Sequence, residues 1–100
     1  MYKPDIHKLN KSFENRVRLG IMSVLIVNDS IDFNSIKSLL QVTDGNLASH
    51  ASALEKEGLI HIKKVFSGKK TLTTYSATKV GVKAFEEHLD ALEKLLKRKN

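Results

Sequence analysis

The spacing of apolar residues changes at Gly58, and this change limits the possible folds more than any other property of the chain. Upstream of it, two short blocks follow a helical period: Ile36, Leu39 and Leu40 in one, Leu47, Ala51 and Leu54 in the other. Thr43-Asp44-Gly45-Asn46 separates them as a turn, with Thr43 or Asp44 able to cap the second block. That block runs to Glu57 and stops at Gly58, where a glycine commonly ends a helix. Downstream the period is two. Leu59–Phe66 sets Ile60 and Ile62 in alternation with His61 and Lys63, and Thr71–Ser76 is rich in β-branched and aromatic residues. Ser67-Gly68-Lys69-Lys70 between them is a glycine-containing turn, so the two runs form a hairpin.

The rest of the chain frames this unit. Residues 1–12 read as a polar arm or a short helix, and Phe13 to about Val27 reads as a helix with Phe13, Val17, Ile21, Val24 and Leu25 on one face. Its β-branched end has weak helix propensity and depends on burial. Asn28-Asp29-Ser30 stops it, Ile31-Asp32-Phe33 suits a very short strand, and Asn34 or Ser35 can cap the next helix. Thr78 caps a final helix to about Lys97, with Lys94, Lys97, Arg98 and Lys99 at its negative dipole end. The order helix, short strand, helix, helix, hairpin, helix predicts a winged helix-turn-helix, mainly α with a small β-hairpin (α+β). One domain is expected over 1–100, with the helix-turn-helix at about 34–57, the wing at about 59–76 and a C-terminal dimerisation helix at about 78–98. In such folds the third helix enters the major groove and the wing lies along the backbone or minor groove.

Composition agrees with one small globular domain: 100 residues, 41% apolar, with one Pro, five Gly and no Cys. A disulfide-stapled, thiolate-zinc or collagen-like protein is excluded. The first residues hold no uncharged apolar core of a signal peptide, and no segment approaches the ~18–20 apolar residues of a membrane span. No membrane partner and a cytoplasmic location are therefore expected. Charge is more informative. Lys and Arg number 17 against 11 Asp and Glu, a net +6, and no acidic residue lies between Glu57 and Glu86. That window holds Lys63, Lys64, Lys69, Lys70, Lys79 and Lys83, which account for the whole excess. Such a stretch is either a solvated surface or a polyanion contact.

At ~100° per residue, the face of the third helix opposite Leu47, Ala51 and Leu54 carries Gly45, Ser49, Ser52, Ala53 and Lys56, flanked by Asn46 and His50. Short polar side chains let a helix backbone approach base edges. Asn46 suits an adenine, Ser49 either purine, His50 a guanine or phosphate, Ala53 a thymine methyl, and Lys56 a phosphate. The alternatives are that Asn46 caps the helix, that Ser49 and Ser52 are solvated, and that His50 covers the edge of the core. Lys63, Lys64, Lys69 and Lys70 flank the wing tip as sequence-blind phosphate ligands, or as ordinary edge-strand protection. The last helix carries two seams: Val82, Phe85, Leu89, Leu92 and Leu96 at coiled-coil spacing, and a weaker row of Ala84, His88, Ala91 and Leu95. A single broad stripe could pack within the monomer. The expectation is a homodimer through Phe85, Leu89, Leu92, Leu95 and Leu96, with or without the N-terminal helix, and which seam faces the partner is left open.

The segment from Ile31 to Gly81 resembles small winged-helix regulators related to the MarR and ArsR groups. The matching positions are Phe33 with Ile36, Thr43 to Leu47, His50, Leu54, Glu55 and Gly58, then Lys64, Phe66, Gly68 and Lys69, then Thr73, Tyr75, Thr78 and Gly81. The pattern usually has Leu where this chain has Ala51, and often Pro where it has Leu72. The resemblance implies a DNA-binding transcriptional regulator, usually a dimer joined through terminal helices. No catalytic motif accompanies it: there is no phosphate loop, nucleophile elbow or zinc-protease motif. His7, His50, His61 and His88 form no recognised ligand pattern, so no metal, no cofactor and no enzymatic activity are expected. Glu86, Glu87, Asp90 and Glu93 read as a solvated helix side. The expected partner is double-stranded DNA, bound at an imperfect palindrome by a homodimeric repressor, with a small-molecule effector conceivable only at the dimer interface. The competing readings are a protein-interaction module of the transcription machinery and a non-specific architectural or RNA-binding protein.

Overall fold

The computed structural model describes residues 3–96. Four helices and a three-stranded antiparallel sheet follow one another as α1 (Arg16–Leu25), β1 (Ile31–Asp32), α2 (Phe33–Leu40), α3 (Asp44–Lys56), β2 (Ile60–Ser67), β3 (Lys70–Ala77) and α4 (Lys79–Leu96). Two short 3-10 turns, Ile6–Lys8 and Lys11–Phe13, precede them. The predicted winged-helix order is therefore present, and Lys97, Arg98 and Lys99 lie outside the described residues.

Caps account for where the boundaries moved. The first helix starts at Arg16 rather than Phe13, because the Asn15 side chain accepts from the backbone N–H groups of Val17 and Arg18 at 2.8 and 3.2 Å. Phe13 belongs to the preceding 3-10 turn, and Val27 lies beyond the helix. Asp32, not Asn34 or Ser35, caps α2: its carboxylate accepts from the Ser35 backbone N–H at 3.1 Å and from the Ser35 hydroxyl at 2.6 Å. Those two bonds hold the Asp32 carboxyl below the ordinary carboxylate range. Phe33 is consequently the first residue of α2 and not part of the strand. Thr43 is the cap of α3, with its Oγ1 accepting from the Asn46 N–H at 3.2 Å.

The turn between α2 and α3 is made by Gln41, the residue with left-handed backbone (φ 53°), while Gly45 sits inside the first turn of α3. An ion pair of 2.8 Å from Lys37 to Asp44 spans the two helices. At the other end of α3 the N–H groups of Gly58 and Leu59 close on the carbonyls of Glu55 and Leu54 at 2.9 and 3.0 Å. This is a Schellman closure, and it requires the positive φ of 75° that Gly58 adopts.

The sheet order is β1-β3-β2, with β1 pairing Ile31 to Tyr75 and the hairpin in register from Ile60–Ala77 out to Ser67–Lys70. Gly68 and Lys69 form its two-residue turn, with Gly68 at φ +65° in the first central position, where a primed turn needs it. Ile21, Met22, Leu25, Ile36, Leu47, Ala51, Leu54, Leu59, Ile60, Tyr75, Phe85 and Phe13 form one core between the helices and the base of the hairpin. Beyond Ile62 the hairpin leaves this core as a projecting wing.

Thr78 ties the end of β3, at the base of the wing, back to the end of α3. Its N–H donates to the Leu59 carbonyl at 3.1 Å and its hydroxyl to the Gly58 carbonyl at 2.7 Å, while its Oγ1 accepts from the Gly81 N–H at 2.8 Å and so caps α4. Gly81 lies directly against Leu59, and a Cβ there would overlap the Leu59 carbonyl oxygen. Because the obstruction is backbone, no side chain can turn aside to relieve it. Gly81→Ala is therefore expected to lower stability by about 2–3 kcal/mol, in the upper part of the range for overpacking. Urea denaturation measures this, and an unchanged midpoint would contradict the close approach.

Candidate nucleic-acid interface

The outer face of α3 is open. Gly45, Asn46, Ser49, Ser52 and Lys56 are exposed, and Ala53 is half-buried. Leu47, Ala51 and Leu54 are fully buried beneath them. Asn46 contributes only its backbone N–H to the cap, so its side chain is not consumed by capping.

Two contacts fix α3 along its flanks. On one side the Arg18 Nε of α1 donates to the His50 Nδ1 at 3.0 Å, and both residues are half-buried. On the other the Glu55 carboxylate accepts from the Ile62 N–H at 3.3 Å. Since β2 is an outer strand of the sheet, Glu55 covers a backbone donor that the ladder leaves unpaired. Sequence reasoning assigned no role to Arg18 or Glu55 at this surface. Arg18 pairs with a residue 32 positions away, which local spacing does not reveal. Glu55 was visible only as a letter of the family pattern. His50 occupies the α1 flank of the helix, and its accepting Nδ1 leaves the proton of a neutral ring on Nε2.

Lys63, Lys64, Lys69 and Lys70 are all exposed on the wing. They do not share one face. Strand alternation and register put Lys64, opposite Thr73, on the face that carries Ile60, Ile62 and Tyr75. Lys63, opposite Thr74, and Lys70, opposite Ser67, lie on the other face, and Lys69 occupies the turn. Phe66, opposite Thr71, shares the face of Lys64 and is 84% exposed.

The buried stripe of α4 takes residues from both expected seams, Phe85 from one and His88 and Ala91 from the other, and the N-terminal arm packs against it. Phe85 is only 2% exposed and meets the Phe13 ring edge-on, with centroids 5.3 Å apart. It is therefore a core residue, which corrects its expected place in a dimer seam. His88, also on α4, is 3% exposed, with its Nδ1 accepting from the Asn10 N–H at 3.0 Å. Gly81, Phe85, His88 and Ala91 form the buried stripe. Leu89 and Leu96 remain exposed, at 45% and 81%, and Leu92 and Leu95 are half-buried. Between the arm and α4 lies an open groove of about 650 Å³ bordered by Lys8, Lys11, Glu87, Asp90 and Lys94. Among the described residues there is no group of three metal-ligating side chains, and no helix is long and apolar enough to cross a membrane.

A helix-turn-helix followed by a basic hairpin defines the class as a winged-helix DNA-binding domain, and comparison with known proteins agrees. The family model described as "Winged helix DNA-binding domain" matches residues 17–96, and the chain belongs to that family. It is similar to a transcriptional regulator homologue from Pyrococcus horikoshii, with 33% identity, a TM-score of 0.80, and coverage of 85% of this chain and 84% of that one. An uncharacterized protein of Methanocaldococcus jannaschii is 32% identical over 87% of this chain and 95% of its own length. The fold is also that of the MepR–DNA complex of S. aureus, with a TM-score of 0.70 at 20% identity over 89% of this chain and 73% of that one. MarR-family regulators are among the structural neighbours, in keeping with the resemblance carried by the motifs.

Burial holds the His88 imidazole below its ordinary value of 6.5, against a smaller upward pull from Glu14. Its unfolded form therefore binds a proton first as the pH falls. The stability that neutral His88 confers is complete above about pH 6.5 and is lost as acidification proceeds towards the lowered folded value. Protonation would also set two donors, Nδ1–H and the Asn10 N–H, against each other. The urea midpoint of the wild type is expected to drop from about pH 7.5 to about pH 5.5. His88→Asn, neutral throughout and able to accept the same bond, should flatten that dependence; parallel curves would exclude His88 as its source.

Proposed function

We propose that this chain is a sequence-specific, double-stranded-DNA-binding transcriptional regulator that acts as a homodimer, most simply as a repressor. The observation that carries the proposal is the exposed, short-chained polar face of α3 standing beside a lysine-bearing wing, within a stretch that holds no acidic residue from Gly58 to Phe85. Asn46, Ser49, Ser52 and Ala53 would read base edges from the major groove, with Lys56 on phosphate. His50 would present its Nε2–H, and Arg18 beside it a guanidinium, to the strand passing the α1 flank. Lys63, Lys64, Lys69 and Lys70 would hold the backbone along the wing. Their placement on both faces and at the tip suits a wing that enters a groove, with phosphates on either side. The names of the Pyrococcus homologue and of the MepR–DNA complex support a regulator on DNA.

Two half-sites about one helical turn apart, roughly 34 Å, then follow from the symmetry of a dimer. Leu89, Leu92, Leu95 and Leu96 supply an apolar seam that the monomer leaves uncovered or half-covered, and a second copy of α4 would cover it. An effector would act by favouring one spacing of the two recognition helices over another.

Selection of duplexes from a random pool by the purified protein should recover an imperfect palindrome bound at least ~10³-fold tighter than random duplex. Asn46→Ala or Ser49→Ala should change the selected bases. Lys69→Ala combined with Lys70→Ala should weaken binding to every duplex alike and reduce the salt slope by about 2. An unchanged slope would remove these two lysines from the phosphate contacts, and recovery of no duplex would remove the function. Sedimentation at micromolar concentration should show a dimer that Leu89→Asp with Leu92→Asp converts to a monomer; a monomeric wild type would remove the dimer.

A further inference from the structure

Among the described residues no large apolar side chain is more exposed than Phe66, at 84%. An isolated surface hydrophobe is ordinary. This one has an unusual setting. Its strand neighbour on the same face is Lys64, the turn beyond it holds Lys69, and Lys70 opens the returning strand. A second copy of this wing would bring the same lysines against one another, so like-charge repulsion opposes a self-contact. A polyanion with an apolar recess suits both the ring and the ammonium groups.

Position selects the polyanion. Phe66 projects from the face of the sheet that carries Ile60 and Ile62, and the Ile62 N–H is the group that the Glu55 carboxylate of α3 takes up. Phe66 lies four residue steps along the strand from Ile62, about 13 Å at ~3.3 Å per residue. A minor groove lies half a helical repeat, roughly 17 Å, from the major groove that α3 would occupy. The ring thus stands beyond the end of α3 by a length comparable to that groove offset.

We propose that Phe66 is an apolar wedge that enters the minor groove beside the recognition site, partly unstacks one base step and bends the duplex. The inference rests on the DNA-binding reading above and extends it. Wedging is easiest at pyrimidine–purine steps and hardest in stiff A-tracts. The protein then discriminates sequence under the wing through deformability, without hydrogen bonds to those bases.

Two duplexes of equal length and base composition test this, one of alternating TA steps and one an A-tract, each carrying 2-aminopurine as a reporter of unstacking. The wild type should bind the alternating duplex about tenfold tighter, brighten its 2-aminopurine, and bend it in a fluorescence energy-transfer assay. Phe66→Ala should lose the preference, the brightening and the bend while keeping the wild-type salt slope and melting temperature. Phe66→Leu should keep most of each. Lys69→Ala with Lys70→Ala should weaken both duplexes alike and keep the preference. Wild-type binding with no brightening, or a Phe66→Ala variant that still bends and prefers the alternating duplex, overturns the wedge and leaves the DNA-binding reading intact. Failure of the wild type to bind either duplex, together with recovery of no duplex from the random pool, overturns both. A Phe66→Ala effect confined to sedimentation of the free protein, or to association with anionic lipid vesicles, assigns the ring to another surface and also overturns the wedge.

Discussion

The crossing of backbone at Gly58-Leu59 and Thr78-Gly81 is the constraint on which the rest of the structure depends. Four elements meet there: the end of α3, the first strand of the wing, the last strand of the wing and the start of α4. Thr78 engages the Gly58 and Leu59 carbonyls and caps α4 with the same hydroxyl, while Gly81 lets the helix pass against Leu59 without a side chain between them. The hairpin is thereby closed at its base by hydrogen bonds and backbone contact. Its projection beyond Ile62 is a continuation of a clamped ladder, and it need not be held by a core of its own.

With that end fixed, α3 needs only lateral restraint. Arg18 and His50 supply it towards α1, and Glu55 supplies it towards β2 by satisfying an N–H that the sheet would otherwise leave to solvent. The inner residues Leu47, Ala51 and Leu54 do the packing, so the outer residues are relieved of any structural task. Small residues at 45, 49, 52 and 53 cost little when the helix lies close against a neighbour. A rigid helix with an unencumbered face is the condition for reading base edges at defined distances.

The N-terminal arm decides how α4 is used. Phe13 inserts against Phe85 and His88, Asn10 donates to His88, and the Ser12 hydroxyl donates to the Glu57 carboxylate just past α3. The arm therefore touches both the last helix and the residue that ends α3. Residues 10–13 thus bridge α4 and the end of α3.

Much of this was legible in the chain itself. The change of period at Gly58, the cap at Thr78, the turn at 43–46 with Thr43 or Asp44 as cap, and the glycine at 58 are local signals, because a cap or an alternation is set by residues within a few positions of one another. The lysine stretch and the polar face of α3 were legible for the same reason. Choices between chemically similar neighbours were not. Asp32, Asn34 and Ser35 are all good caps, and the sheet pairing of Ile31 with Tyr75 places the chain so that Asp32 precedes the first helical turn. The two seams of α4 have similar spacing, and burial of Phe85 with His88 followed from where Phe13 lies, 72 residues earlier. Arg18 and His50, or Glu55 and the edge of β2, became partners only once distant segments were packed side by side. Sequence alone determined the order of the elements and the charge they carry, since these arise from short-range chemistry. Tertiary structure decided which faces are covered and which remain open, since burial is a property of neighbours that the fold brings together.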